Sequence, residues 1–198
     1  MSDAPDDPPA SDPERRGSLI PFAALFYGVV IAAALFWMQW RGRWDRLIEL
    51  GRGDWHPAAQ VGTGLGLALL VVGLSRVLTP RVRLLRVLEA ELRQLLGPLS
   101  EADALFLSLA SGIAEELFFR GAMQDQVDLF TTAIAFALLH TGRRAHFAVW
   151  TFFSLLMGLV LGLLVQAGAG LLTVTLAHAT INYLNLRRIC GSEESVTP

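Results

Sequence analysis

Apolar residues run along this chain in long uninterrupted stretches, and the charges are collected between them. Gly17–Trp40 is 24 residues without a formal charge, Trp55–Ser75 is 21, and Ala145–Leu186 is 42, broken near its middle by Gln166-Ala-Gly-Ala-Gly170. A helix needs roughly 20 apolar residues to cross about 30 Å of hydrocarbon. The first two runs therefore predict one span each, about Leu19–Trp40 and Pro57–Leu78. The third predicts two, about Phe147–Gln166 and Gly170–Leu186. Arg81–Leu96 changes to helical periodicity, with Leu84, Leu85, Leu88, Leu92, Leu95 and Leu96 set against Arg83, Arg86, Glu89 and Arg93. That is the pattern of an amphipathic helix lying on a membrane surface, and Gly97-Pro98 stops it. Ser100-Glu-Ala-Asp103 has the form of a capping box. A further helix is predicted from about Glu101 to about Asp125, ~37 Å long at 1.5 Å per residue, followed by a span over about Val127–Thr141.

The pattern predicts an all-α polytopic membrane bundle of about six transmembrane helices plus one interfacial amphipathic helix. Residues 1–18, acidic and proline-rich, are expected to be a disordered tail, 19–188 a single transmembrane domain, and 189–198 a C-terminal tail. The start is not a signal peptide, because the apolar run behind Arg15 and Arg16 is too long for one. Six spans put both termini on one side. That side carries eleven arginines and the other five, Arg41, Arg43, Arg46, Arg52 and Arg120, so the termini are expected in the cytoplasm. Trp37, Trp40, Trp44 and Trp55 gather at the opposite boundary as interfacial aromatics do, although four of the five arginines there lie in the Trp40–Trp55 loop. Gly62/Gly66 and Gly158/Gly162 are GxxxG pairs, suited to close helix packing.

Composition agrees. The chain is 53% hydrophobic and 17% charged, against about 25% charged in a soluble domain. The single Cys190 excludes a disulfide framework, and a net charge of −2 gives no reason to expect nucleic acid.

Some polar residues sit too deep for this pattern. Glu115 and Glu116 interrupt span three, His140 lies near the end of span four, and His178 and Asn182 lie one turn apart in span six. A charge at bilayer depth costs a few kcal/mol even on the lenient scale. Counted along their helices from the non-cytoplasmic boundary, Glu115 and His140 lie ~17 and ~21 Å in, and His178 and Asn182 ~12 and ~18 Å in. All four can share one layer. Glu116 and Arg120 stand at i,i+4, the favourable order for an ion pair. That leaves Glu115 as an unpaired carboxylate, suited to act as general base towards water. The chemistry this points to is water attack on a carbonyl, with His140 holding the water and His178 and Asn182 donating to the oxyanion. Glu115, His140 and His178 would also make a His₂Glu set for Zn²⁺; there is no HExxH, and Glu116 would then have to serve as base. The metal-free reading is favoured, with Zn²⁺ as its alternative. His56 and His146 are expected in solvated turns.

These residues also carry a family resemblance. Glu115-Glu-Leu-Phe-Phe-Arg120 resembles the EExxxR motif of the CPBP family, the CAAX-protease-like and bacteriocin-processing (Abi) membrane proteases. Phe136-Ala-Leu-Leu-His140 resembles its FxxxH motif and His178-Ala-Thr-Ile-Asn182 its HxxxN motif. The resemblance covers about Ser100–Leu186. It implies peptide-bond cleavage at or within a membrane, a peptide or lipid-associated protein as substrate and lipid as surroundings; a bacterial inner membrane is the expected location. The older label of the family is metalloprotease. Two other functions use the same residues: a non-catalytic immunity or scaffold protein, and a proton- or metal-coupled carrier. Against a carrier, the six spans contain no evident internal repeat.

Overall fold

The computed structural model describes residues 13–191; the expected N-terminal tail up to residue 12 and the end of the chain from 192 lie outside the described residues. Eight α-helices follow one another: α1 (Pro13–Trp40), α2 (Trp44–Arg52), α3 (Pro57–Leu78), α4 (Arg83–Leu96), α5 (Glu101–Glu116), α6 (Leu129–Leu139), α7 (Phe147–Gln166) and α8 (Leu171–Cys190). A π-helical segment, Leu117–Met123, continues α5. No strand occurs among the described residues. Leu19–Trp40 within α1, α3 and α7 are long and apolar enough to cross a membrane. α6 is apolar but has 11 residues, a rise of ~16 Å. The outcome is the helical membrane bundle that the apolar pattern implies. Within it, α5 and α8 carry most of the buried polar groups.

Two elements differ from the expected pattern. α1 begins at Pro13, ahead of the expected Leu19, so residues 13–18 are helical. Trp40–Trp55, expected as a loop, contains α2. This short helix is bracketed by Gly42 and Gly53, both at positive φ, where glycine ends helices without steric cost. Leu47 of α2 packs against the buried Ala34, Met38 and Ala122.

The surface of the bundle is apolar and much of its interior is polar. Phe22, Leu25 and Phe36 on α1, Leu69 and Leu70 on α3, and Phe130 and Leu138 on α6 are exposed. Gln60, Ser108, Glu116, Arg120 and Thr173 are buried. Helices surrounded by hydrocarbon gain little from burying more hydrocarbon, so small residues that let backbones approach take over the packing. A Cβ on Gly64 would stand 2.6 Å from the Thr173 carbonyl oxygen, one on Gly112 3.0 Å from the Ala179 Cβ, and one on Gly158 3.1 Å from the Ala133 Cα. α8 is thus clasped between α3 and α5, and α6 lies against α7. Gly158 and Gly162 both make close contacts. Gly62 and Gly66 do not: both face open space, and Gly64 is the glycine that meets α8.

α4 closes one end of the bundle. Glu89 holds Arg188 and accepts from Thr79 at 3.0 Å, and the Arg93 Nε donates to the Ile189 carbonyl at 2.7 Å. Glu91 binds Arg144 at 2.6 Å and also His146, which is therefore partnered and not merely solvated. Leu84, Val87 and Leu95 remain exposed on α4, the outward apolar face of an interfacial helix. At the other end the Asp54 amide donates to the Gly168 carbonyl at 2.8 Å and the Trp55 indole N–H to the Ala167 carbonyl at 2.9 Å. His56 caps α3 by accepting from the Ala58 amide.

Candidate active site

The capping box forms as the sequence implies. Ser100 Oγ accepts from the Asp103 amide at 3.1 Å, and the Asp103 carboxylate accepts from the Ser100 amide at 3.3 Å. This fixes the start of α5 at Glu101, and Glu115 and Glu116 are its last two residues. The helix then widens into the π segment, in which the Gln124 amide reaches back five residues to Phe119 at 2.8 Å. Wide turns of this kind recur at functional sites.

Glu116 and Arg120 form the expected pair. Arg120 Nη1 lies 3.0 Å from Glu116 Oε1, and both side chains are fully buried. Arg120 Nη2 also donates to the Gly158 carbonyl at 3.2 Å, and its guanidinium lies 4.7 Å over the Phe136 ring. The pair therefore ties α5 to both α6 and α7. Glu116 Oε1 has a second partner, His178 Nδ1 at 2.7 Å. A carboxylate accepts, so Nδ1 carries the proton and Nε2 points the other way. His140 is oriented by the same logic: it stands at the C-cap of α6, its Nδ1 is 2.8 Å from the Phe136 carbonyl, and its Nε2 is left free.

Both free imidazole nitrogens turn towards one atom. Glu115 Oε2 lies 3.8 Å from His140 Nε2 and 3.9 Å from His178 Nε2. It is buried and has no hydrogen-bond partner. These distances are too long for direct hydrogen bonds and are of the kind one intervening oxygen bridges. Asn182, one turn beyond His178, donates from Nδ2 to Ser111 Oγ at 2.9 Å. A cavity of ≈ 50 Å³ between α6, α7 and α8 is lined by His140, His178 and Asn182 together with Phe136, Trp150 and Phe153. Neither carboxylate is among its lining residues.

All six residues singled out in the sequence thus meet at one place. Three features beyond them do so as well. The Glu116–His178 link had no sequence signal, because nothing in spacing assigns contacts between α5 and α8. Ser111 stands one turn before Glu115 on the same face of α5, a signal available in the sequence. Tyr27, the one hydroxyl in Leu19–Trp40, reaches Ser111 and Glu115 from α1.

The donor chemistry of Glu115, His140 and His178 would suit Zn²⁺. Ligand atoms about 2.0–2.1 Å from a tetrahedral ion stand about 3.3–3.4 Å apart, closer than the 3.8 and 3.9 Å found for Glu115 and the two histidines. Among the described residues no group of three or more His, Cys, Asp or Glu side chains has the placement to hold a metal ion. The residues as placed do not fit the ion.

Comparison with known proteins gives one finding. Residues 98–184, which include all three motifs, match the family model described as Type II CAAX prenyl endopeptidase Rce1-like, of the CPBP family. No curated protein and no solved structure matches the chain. The apolar helices are those of an integral membrane protein, and residues 98–184, a little under half of the chain, are similar to the CAAX prenyl endopeptidase model.

Proposed function

Taking residues 98–184 as a CPBP-family segment, we propose that this protein is an intramembrane endopeptidase that hydrolyses a peptide bond by means of a water activated by Glu115. The observation that supports this reading most is the convergence of His140 Nε2 and His178 Nε2 on the unpartnered Oε2 of Glu115. A water bound among these three atoms gives one proton to Glu115. His140, whose Nδ1 proton is held by the Phe136 carbonyl, accepts the other hydrogen of the water through the Nε2 lone pair and aims its oxygen. As the C–O bond forms, the substrate carbonyl becomes an oxyanion. His178 and Asn182 donate to it. His178 donates from Nε2 with a proton on each ring nitrogen, its Nδ1–H remaining on Glu116. Collapse of the intermediate breaks the C–N bond while Glu115 returns the proton to the leaving amine. The products are a carboxylic acid and an amine, which leave as carboxylate and ammonium after the acid proton passes to the amine.

The arginine count supports one orientation, with eleven arginines on the side of the termini and five on the other. Both termini then face the cytoplasm, and the bacterial inner membrane is the location we propose.

The test is cleavage of a quenched membrane-anchored peptide in proteoliposomes containing the purified chain, run in ¹⁸O-labelled water. One ¹⁸O should enter the new carboxylate, and exhaustive chelation should leave the rate unchanged. Absence of cleavage across a panel of prenylated and unprenylated membrane peptides would overturn the assignment. Loss of activity on chelation, restored by one equivalent of Zn²⁺, would replace the metal-free mechanism. Cysteine placed at Thr141 in a Cys190-less background should react with an impermeant thiol reagent only from the cytoplasmic face, and labelling only from outside would reverse the topology.

A further inference from the structure

We infer that Ser111 is a positioning residue of this site, whose hydroxyl fixes which end of the Asn182 carboxamide faces the cavity. The inference rests on the proposed reaction. The two ends of a carboxamide are almost the same size and opposite in function, one a double donor and the other an acceptor. An oxyanion is stabilised by the first and repelled by the second. Something must therefore select the orientation.

Ser111 has the chemistry to do so. It is buried on α5, one turn ahead of Glu115. Its single hydroxyl proton is donated to the Ser108 carbonyl at 3.2 Å. With that proton committed, Oγ presents only lone pairs to α8, and Asn182 Nδ2 answers by donating at 2.9 Å. A flipped carboxamide would set Oδ1 against those lone pairs. One N–H of Asn182 is thus held by Ser111, and its second N–H is left for the cavity that the residue lines. The approach of the helices sustains this bond, because Gly112, next to Ser111, lets α5 lie directly against Ala179 of α8.

The experiment is a double-mutant cycle on the full chain in proteoliposomes, with the quenched membrane peptide as substrate and thermal unfolding as a check on folding. Ser111→Ala should lower kcat about 5–10-fold, the size of one net hydrogen bond, with KM unchanged. In an Asn182→Ala background the same change should leave kcat where it was, because Ser111 acts through Asn182 alone. Ser111→Thr, which keeps the hydroxyl, should retain activity, and Ser111→Val, of the same shape without it, should not. Equal losses from Ser111→Ala in both backgrounds would mean that Ser111 supports packing only, and equal rates for the Thr and Val variants would overturn the proposal independently of how the alanine variant folds. If Asn182→Ala is itself fully active, the oxyanion role of Asn182 fails first and the positioning role falls with it. If Asn182→Ala is impaired and Ser111→Ala is not, only the positioning role fails.

Discussion

Glu116 sits in a sealed pocket where Arg120 and His178 share its Oε1 at 3.0 and 2.7 Å. Glu115, one residue earlier, turns an oxygen towards two imidazole nitrogens and bonds to neither. Adjacent positions on a helix point about 100° apart, and here that angle separates a paired charge from the one the proposed reaction uses. Glu116 gains its stability from partners that fix it in place, so its charge is compensated before any substrate arrives. Each carboxylate keeps one buried oxygen without a hydrogen-bond partner, at a cost, but that of Glu115 faces two histidines while the Glu116 side chain is fully enclosed. The pairing of Glu116 is what leaves Glu115 available.

The comparison can be broken most severely at Glu115. Glu115→Gln should abolish turnover under the proposed reaction while thermal unfolding in detergent stays near that of the parent chain; an active Glu115→Gln enzyme would remove the general base. Next in size is Arg120→Ala, which strands a buried carboxylate and should destabilise by about 3–5 kcal/mol. Adding Glu116→Ala should then cost far less than it does alone, since the two share one interaction. Full additivity in unfolding measurements would show that the pair is not coupled. Asn182→Ala should lower kcat by about 10²–10³, the usual cost of one lost oxyanion donor, with little change in KM. Gly112→Ala should sharpen the comparison more gently. Its added methyl meets Ala179 at 3.0 Å, and overpacking of this kind costs about 1–3 kcal/mol, expected as a lower unfolding temperature together with a lower kcat. An unchanged kcat at a lower unfolding temperature would separate the α5–α8 distance from the chemistry.

Much of this was legible in the sequence because the solvent is hydrocarbon. Long charge-free runs gave the bounds of α3 and α7 and of the apolar part of α1, and Ser100 and Asp103 gave the start of α5. Deep polar residues stood out against that background, so Glu115, Glu116, His140 and His178 could be picked without any structure. What could not be read depends on which helix meets which. Gly62 and Gly66 have the spacing of a packing motif, yet Gly64 faces α8, because the sequence gives the period of a face and not its direction. The shared oxygen of Glu116 is a contact between residues 62 apart. The π segment has no proline, and its one glycine, Gly121, does not mark a widened turn, which is stabilised by what its side chains reach, here the Arg120 contacts to Gly158 and Phe136. α2 is too short for its periodicity to rise above a loop.

α6 is only 11 residues long, about half the rise needed to cross a hydrocarbon layer of about 30 Å. A short apolar element is matched by local thinning of the bilayer, and His140 stands where this one ends. Lipid beside α6 should dip inward like the skin of a dimple, bringing headgroups and their water down to the level of the imidazole. A membrane-bound chain would then need little lifting to reach the site. Turnover should depend on acyl-chain length, falling as the surrounding lipid grows thicker and fills the dimple.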